Sequence, residues 1–257
     1  MIQQQTQGPV GWLRLQRPEA MNSLTPAMLY QLQEHFDLWR EDRAVRVVVL
    51  TGCGRAFCVG ADLKAALERE DAAAGQAEML GVAARLCATI RSYPKPVIAA
   101  VNGVAMAGGM ELVIACDLVL AASSARLGDA HANFGVFPGA GAAALLTRRV
   151  PTNVAKWLLF SGELMSAAEL HGAGLVNEVV PDADLERTVQ ARAEQVAEKS
   201  SMLLARMKRV ANAALDKATD DALREELAEL HEHLRSPDFR EGLRAFAEKR
   251  KPRFNTA

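Results

Sequence analysis

Short apolar runs alternate with segments of helical periodicity in the first half of the chain. The runs VGWLRL, VRVVVL and PVIAAV are rich in β-branched residues and have the length of buried strands. The pattern predicts strands over residues 10–15, 45–50 and 96–101, and helices over residues 26–41 and 72–92. Strands separated by helices in this way favour an α/β fold with a largely parallel or mixed sheet that is covered by helices.

The second half changes from mixed structure to helices. A strand is predicted over residues 117–122, helices over residues 141–149 and 151–160, and a short strand over residues 175–180. After Pro181 the sequence is dominated by Ala, Leu, Glu, Arg and Lys with helical periodicity. We expect this part to be helical, and to form a second layer or a contact in an oligomer.

Composition and charge limit the class of protein. The chain has 257 residues and 50% apolar content, which is enough for a substantial core in one large domain or in a domain with an appendage. With 30 basic and 31 acidic residues the net charge is −1, so no general field attracts nucleic acid or an anionic membrane. No uncharged apolar run reaches the roughly 18 residues of a membrane span. We expect a soluble, unprocessed protein with no nucleic-acid or membrane partner.

The cysteines and histidines do not form a recognisable metal or disulfide pattern. The four cysteines lack CxxC spacing, so we expect reduced thiols and a cytoplasmic location. His231 and His233 are two positions apart on a predicted helix and therefore point in different directions. We expect no metal.

Two glycine-rich bends follow predicted strands. The segment LTGCGRAFCVGADL, residues 50–63, lacks the GxGxxG pattern of dinucleotide-binding proteins, and the chain has no GK[ST] loop. What remains is one bend at Gly60–Ala61 and one at Gly108–Gly109. If the two bends are adjacent, the N–H groups of Ala61 and Gly108 can bind one carbonyl oxygen and form an oxyanion hole. The alternative is that the glycines only permit tight turns and close packing.

One glutamate lies in the apolar segment GVAMAGGMELVIACD, residues 103–117. Glu111 follows Gly108 by about one turn of the helix predicted over residues 107–116. An ionised carboxylate in apolar surroundings is costly unless it has a partner or a function. Glu111 is therefore a candidate general acid or base, and a structural carboxylate paired with an arginine is the alternative. Asp117, at the end of the helix, is expected to be structural.

Six segments resemble, in order and across nearly the whole chain, the crotonase superfamily of enoyl-CoA hydratases and isomerases. They are RPEAMNSLT (17–25), GCGRAFCVGADLK (52–64), KPVIAAVNGVAMAGGMELVIACDLVLAA (95–122), FGVFPGAG (134–141), GLVNEVV (174–180) and FREGLRAFAEKRKPRF (239–254). The resemblance implies a crotonase-like α/β spiral of ββα units over residues 1–195. It also implies a C-terminal all-helical oligomerisation region over residues 196–257, and a homotrimer or a dimer of trimers.

The resemblance implies an acyl-CoA thioester as substrate, with coenzyme A as part of that substrate and no separate cofactor. The N–H groups of Ala61 and Gly108 would bind the thioester oxygen, and Glu111 would act beside the acyl chain. The other implied substrate contacts are Ala20, Asp62, Lys64, Gly109, Phe134, Gly139 and Lys251. For the two lysines, ordinary solvated side chains are the alternative.

The chain departs from the superfamily at one catalytic position. Hydratases of the superfamily carry a second glutamate shortly before the FG…PG segment, where this chain has His131. Histidine donates or accepts a proton near neutral pH, so Glu111 and His131 can together hydrate an enoyl-CoA. His131 can instead position the substrate or be structural. Asp129 is a weaker candidate for the missing acid, because a turn or strand alternation would direct it elsewhere.

Enoyl-CoA hydration is the leading expectation. The alternatives are an isomerase that uses Glu111 alone to move an α-proton, another acyl-CoA reaction such as thioester cleavage, and a non-catalytic acyl-CoA-binding scaffold.

Overall fold

The strands form two sheets. The computed structural model describes residues 1–62 and 72–254, with the side chains of all of these except residues 72–78. The larger sheet contains, in spatial order, β1 (Ile2–Gln7), β2 (Val10–Leu15), β3 (Val47–Gly52), β5 (Val97–Val101), β7 (Leu118–Ala122) and β10 (Glu178–Val180). The smaller sheet contains β4 (Ala56–Cys58), β6 (Val104–Met106), β8 (Arg126–Gly128) and β9 (Met165–Ser166). Neighbouring strands are parallel, except for the pairs β1–β2 and β8–β9.

Helices cover the sheets and build the C-terminal part. They are α1 (Pro26–Arg40), α2 (Ala72–Ser92), α3 (Gly108–Ala115), α4 (Ala142–Arg149), α5 (Thr152–Ser161), α6 (Ala167–Gly172), α7 (Leu185–Ala197), α8 (Ser201–Ala214), α9 (Thr219–His233) and α10 (Pro237–Ala247). Three times, a strand of the larger sheet is followed by a strand of the smaller sheet and then by a helix: β3–β4–α2, β5–β6–α3 and β7–β8–α4. In the described part of the chain, no helix has the length and apolar character that a membrane span requires.

Strand β3 and helix α1 both contribute buried residues to the core. All six residues of β3 are buried, as expected for a parallel strand that is covered on both faces. The side chain of Thr25 accepts a hydrogen bond from the Met28 N–H, and Pro26 occupies the first turn, so the start of α1 is well defined. The buried face of α1 consists of Met28, Leu29, Leu32, Phe36 and Trp39.

The sequence predicted the long elements and missed the short ones. The predicted strand over residues 175–180 is wrong in its first half, because only Glu178–Val180 joins the sheet. Just before it, the side chain of Asn177 accepts the Val119 N–H at 2.7 Å and takes the place of a strand partner. The missed strands are β1, which is polar and largely exposed, and β4, β6, β8 and β9, each two or three residues long. Such short runs do not complete a recognisable period.

Lys208 connects the C-terminal helices to the core. Its Nζ lies 2.7 Å from Asp117 Oδ2 and also donates to the carbonyl oxygens of Ile90 and Lys95. Asp117 Oδ2 in turn accepts the Val97 N–H at 2.8 Å, in agreement with its expected structural role. Burial lowers the pKa of Lys208 and raises that of Asp117, and each charge opposes the effect of burial on the other. The predicted region boundary at residue 196 falls in the last turn of α7.

Replacing the buried lysine should destabilise the fold. Lys208→Met leaves the largely buried Asp117 carboxylate without its cation, so the free energy of unfolding should fall by about 3 kcal/mol. Urea unfolding followed by far-UV circular dichroism, at a fixed protein concentration, measures the change. The control is Lys217→Met, whose ion pair with Glu225 is more exposed and should contribute less than about 1 kcal/mol. If Lys208→Met and Lys217→Met lost the same free energy of unfolding, the ion pair of Lys208 would not stabilise the fold more than an exposed pair does.

Candidate active site

A cavity of about 660 Å³ opens at one edge of the smaller sheet. Its walls come from the segments that follow β4, β6 and β8, and the carboxyl ends of these parallel strands meet at the same edge. The loop before α1 and the side chains of Met79, Leu80 and Ala83 on α2 close the other sides. The cavity therefore brings together five segments that are separated in the sequence.

Two of these segments touch through their backbones. Gly60 has a φ of +92°, and a Cβ added to it would lie 2.8 Å from Ala107 Cβ and 3.0 Å from Gly108 N, so a larger residue does not fit there. Ala107 has a φ of +50°, a value that costs energy for a residue other than glycine. Backbone strain of this kind is concentrated at functional sites.

The contact leaves two N–H groups free beside each other. Leu24 pairs with the residues that flank Ala61: its N–H binds the Gly60 oxygen at 2.7 Å, and its oxygen accepts the Asp62 N–H at 3.0 Å. Gly108 is the first residue of α3, where an N–H has no partner within the helix. Within residues 1–62 and 72–254, neither the Ala61 nor the Gly108 N–H has an acceptor. Both residues line the cavity, and the oxyanion hole remains a prediction from the sequence.

Glu111 reaches the cavity from the first turn of α3. The residue is only 2% exposed, and its Oε1 accepts the N–H groups of Ala140 at 2.7 Å and Ala142 at 3.2 Å. Among the described residues, its hydrogen-bond partners are these two backbone N–H groups and no arginine. Burial raises the pKa of Glu111, and the two backbone hydrogen bonds and the charge of His131 oppose the rise. Oε2 has no hydrogen-bond partner among the described residues.

His131 lines the same cavity and carries its own carboxylate partner. The residue begins the 3₁₀ turn His131–Phe134, and its Nδ1 lies 2.9 Å from Asp129 Oδ1. Burial on its own would lower the pKa of His131, but the hydrogen bond and charge of Asp129 outweigh it, and the pKa is raised. Asp129 is buried behind the histidine and does not line the cavity. The sequence argument directed Asp129 elsewhere and missed this contact.

The other predicted substrate contacts divide into two groups. Ala20, Asp62 and Phe134 line the cavity. Gly109, Gly139 and Lys251 do not line the cavity. Gly109 packs against Cys58, and Gly139 lies beside Leu80. Lys251 is exposed near the C-terminus. Lys64 lies outside the described residues.

Sequence reasoning missed the polar residues that shape the cavity mouth. Arg17 lines the cavity and donates to Asp62 Oδ2 at 2.9 Å and to the Ser23 oxygen at 2.9 Å. Asn22 is fully buried, and its amide nitrogen donates to the Cys53 and Ala56 oxygens. Both residues stand in the segment RPEAMNSLT, whose resemblance to the superfamily was the available signal.

Comparison with known proteins gives one consistent result. The family model for enoyl-CoA hydratase/isomerase matches residues 5–257. The chain is 33% identical over 254 residues to the mitochondrial enoyl-CoA hydratase of Pongo abelii. The aligned region covers 95% of this chain and 83% of that protein. It is 35% identical over 243 residues to the 2,3-dehydroadipyl-CoA hydratase of Escherichia coli K12. In this case the aligned region covers 94% of this chain and 93% of that protein.

Solved structures agree with these relatives. The crystal structure of enoyl-CoA hydratase from Bacillus anthracis superposes with a TM-score of 0.95 at 33% identity, covering 100% of this chain and 99% of the other. Similarity of this extent confirms the predicted α/β fold class, including the helices at the C-terminus.

The packing of Gly109 provides a test of the site's framework. A Cβ added to Gly109 would lie 2.1 Å from the Cys58 oxygen, so Gly109→Ala must displace α3 or β4 and should destabilise the protein by about 2 kcal/mol or more. Thermal and urea unfolding measure the loss. The matched control is Gly81→Ala in α2, where the nearest atom is the end of the Arg85 side chain at 3.5 Å and helix propensity favours alanine. A Gly109→Ala protein as stable as the parent would contradict the close approach of α3 to β4.

Proposed function

The chain belongs to the enoyl-CoA hydratase/isomerase family, and from this premise we propose that it adds water to the double bond of a 2-enoyl-CoA thioester. One observation carries the proposal. The unpaired N–H groups of Ala61 and Gly108 open into the same cavity as the side chains of Glu111 and His131. Two fixed donors for an oxyanion, a base and a second proton-transfer group are the parts that this addition requires.

The two amides activate the thioester in this proposal. The carbonyl oxygen accepts both N–H groups, and these bonds strengthen as the oxygen gains charge in the enolate. Each donor of this kind contributes about 3 kcal/mol to the transition state. Coenzyme A arrives as part of the substrate, and the proposal names no separate cofactor and no metal.

Glu111 and His131 move the protons. Glu111 takes a proton from water through Oε2, the water oxygen bonds to the β carbon, and the electrons of the double bond move to the thioester oxygen. The imidazolium of His131 then gives a proton to the α carbon as the carbonyl forms again. Glu111 now carries one extra proton and His131 lacks one, and transfer between them restores the starting state. The net change is the addition of one water molecule.

We also propose a homotrimer or a dimer of trimers in the cytoplasm. Leu223, Leu227, Leu230 and Leu234 form an exposed stripe at helical spacing along α9, and such a stripe is stabilised when a second subunit covers it. Cys53, Cys58, Cys87 and Cys116 are free thiols, which supports a reducing compartment.

Removing the base tests the reaction. Glu111→Gln keeps an oxygen for the Ala140 and Ala142 N–H groups but cannot take a proton, so kcat for hydration of a short 2-enoyl-CoA should fall by about 10²-fold or more. Loss of the conjugated absorbance follows turnover, and calorimetry with a saturated acyl-CoA should show binding within a few-fold of the parent. The control is Glu163→Gln, an exposed glutamate outside the cavity.

The same assay decides between reactions. Unchanged turnover of Glu111→Gln would remove Glu111 from the mechanism. A parent enzyme that only converts 3-enoyl-CoA to the conjugated isomer would replace hydratase by isomerase. A protein that binds acyl-CoA and turns over no enoyl-CoA would favour the non-catalytic scaffold.

The pH profile of kcat/KM should be bell-shaped. The acid limb reports ionisation of Glu111 and should lie above the usual glutamate range, because burial raises that pKa. The alkaline limb reports loss of the His131 proton and should lie above the usual value of about 6.5, because Asp129 raises the pKa of His131. His131→Ala should remove the alkaline limb and reduce kcat by about 10²-fold. The control is His171→Ala, at a residue outside the cavity, which should change neither the alkaline limb nor kcat. An unchanged profile in His131→Ala would make His131 structural.

A further inference from the structure

Asp129 is a buried carboxylate that the proposed reaction does not use. It is only 1% exposed and does not line the cavity. Its Oδ1 lies 2.9 Å from the ring nitrogen Nδ1 of His131. Its Oδ2 accepts the backbone N–H of His131 at 3.4 Å. Both oxygens are therefore directed at one residue, and that residue faces the substrate cavity.

The backbone is arranged to allow this contact. Ala130, between the two residues, has a φ of +56° and a ψ of −3°, the left-handed region that residues other than glycine rarely adopt. The Asp129 oxygen also accepts the Ala107 N–H at 2.8 Å, which attaches the turn to the residue before Gly108. The turn that presents His131 is thus held to the loop that presents one of the two free N–H groups.

We propose that Asp129 is a positioning residue for His131: its carboxylate accepts a hydrogen bond from Nδ1–H and so directs Nε2 into the cavity. The inference rests on the proposed function, because it explains how an imidazole performs the proton transfer that a carboxylic acid performs elsewhere in the superfamily. Asp129 itself does not touch the substrate.

The chemistry of imidazole supports this role. A ring that donates from Nδ1 to a carboxylate is fixed in one tautomer, so Nε2 accepts when the ring is neutral and donates when it is charged. In serine proteases a buried aspartate orients a catalytic histidine in the same way, and its replacement by asparagine strongly reduces turnover. Such a pair is defined by geometry and not by the position of its members in the sequence.

The surroundings of His131 contain few other charges. The charged groups that act on the ring are Asp129, from the residues after β8, and Glu111, from α3. Helix α5 packs on the same 3₁₀ turn, and its one ionisable side chain, Lys156, is exposed. Asp129 therefore provides the direct contact that favours the imidazolium, and Glu111 adds a weaker attraction across the cavity.

The central experiment removes the charge and keeps the shape. Asp129→Asn should reduce kcat at pH 7.5 by about 10-fold or more, with KM for a short 2-enoyl-CoA within about 2-fold of the parent. The alkaline limb of the kcat/KM profile should move to lower pH, because the imidazolium loses its buried anion. Asp129→Glu, which keeps the charge, should recover part of kcat and return the limb towards the parent position.

A double-mutant comparison separates positioning from general damage. In the His131→Ala background, Asp129→Asn should cause no further loss of kcat, since the group it positions is absent. A further loss equal to that in the parent background would overturn the inference. If His131→Ala leaves rate and profile unchanged, the proposed function fails. If His131→Ala slows turnover while folded Asp129→Asn keeps its kcat and alkaline limb, the proposed function stands and the inference falls.

The unmodified protein gives a measurement that does not depend on whether a variant folds. The chain has five histidines, so ¹⁵N-histidine NMR gives few signals, and His131 is assigned by its absence in His131→Ala. We expect the His131 ring to carry its proton on Nδ1 when neutral, and to titrate above the ordinary histidine value of about 6.5. A neutral ring protonated on Nε2, or a titration at or below that ordinary value, would overturn the inference.

Discussion

The site depends on one constraint: two backbone N–H groups must remain unpaired inside closely packed structure. A protein normally pairs buried N–H groups, because each one left without a partner costs about 1–3 kcal/mol. Here Leu24 binds the residues on either side of Ala61, and α3 begins at Gly108, so the N–H groups of Ala61 and Gly108 have no acceptor among the described residues. Gly60 and Gly109 allow the chain segments to approach closely enough for this arrangement. The parallel strands of the smaller sheet then hold both donors at one edge.

Electrostatics of the cavity follow from the same packing. Glu111 is buried in the first turn of α3, where the start of α4 supplies two N–H groups to one of its oxygens. Those hydrogen bonds orient the carboxylate. They also lower its pKa, but by less than burial raises it. His131 is similarly buried and similarly held by one partner. Glu111 and His131 are thus each held by hydrogen bonds to the protein on one side while they line the cavity.

Much of this arrangement could be predicted from the sequence, and the remainder could not for identifiable reasons. Long periodic elements such as α1 and β3 follow from local pattern. The glycine bends and Glu111 were noticed from the residues around them, and the resemblance to the superfamily then implied their roles. Strands of two or three residues such as β9 contain too little periodicity to detect. The contact between Asp129 and His131 depends on the left-handed conformation of Ala130, and an alanine gives no sign of it. Gly109 and Gly139 were predicted to contact the substrate because they stand within matching segments; neither lines the cavity, and Gly109 is packed against Cys58.

Asp129 and His131 constrain which substitutions this chain tolerates. Asp129 binds the imidazole of His131, and Glu111 acts on it through its charge. A glutamate introduced at position 131 alone would place three carboxylates in one buried site, and like charges there repel strongly. A histidine at 131 without Asp129 would lose the hydrogen-bonding anion that raises its pKa. The two positions are therefore coupled, and a substitution at either one changes the electrostatic environment of the other.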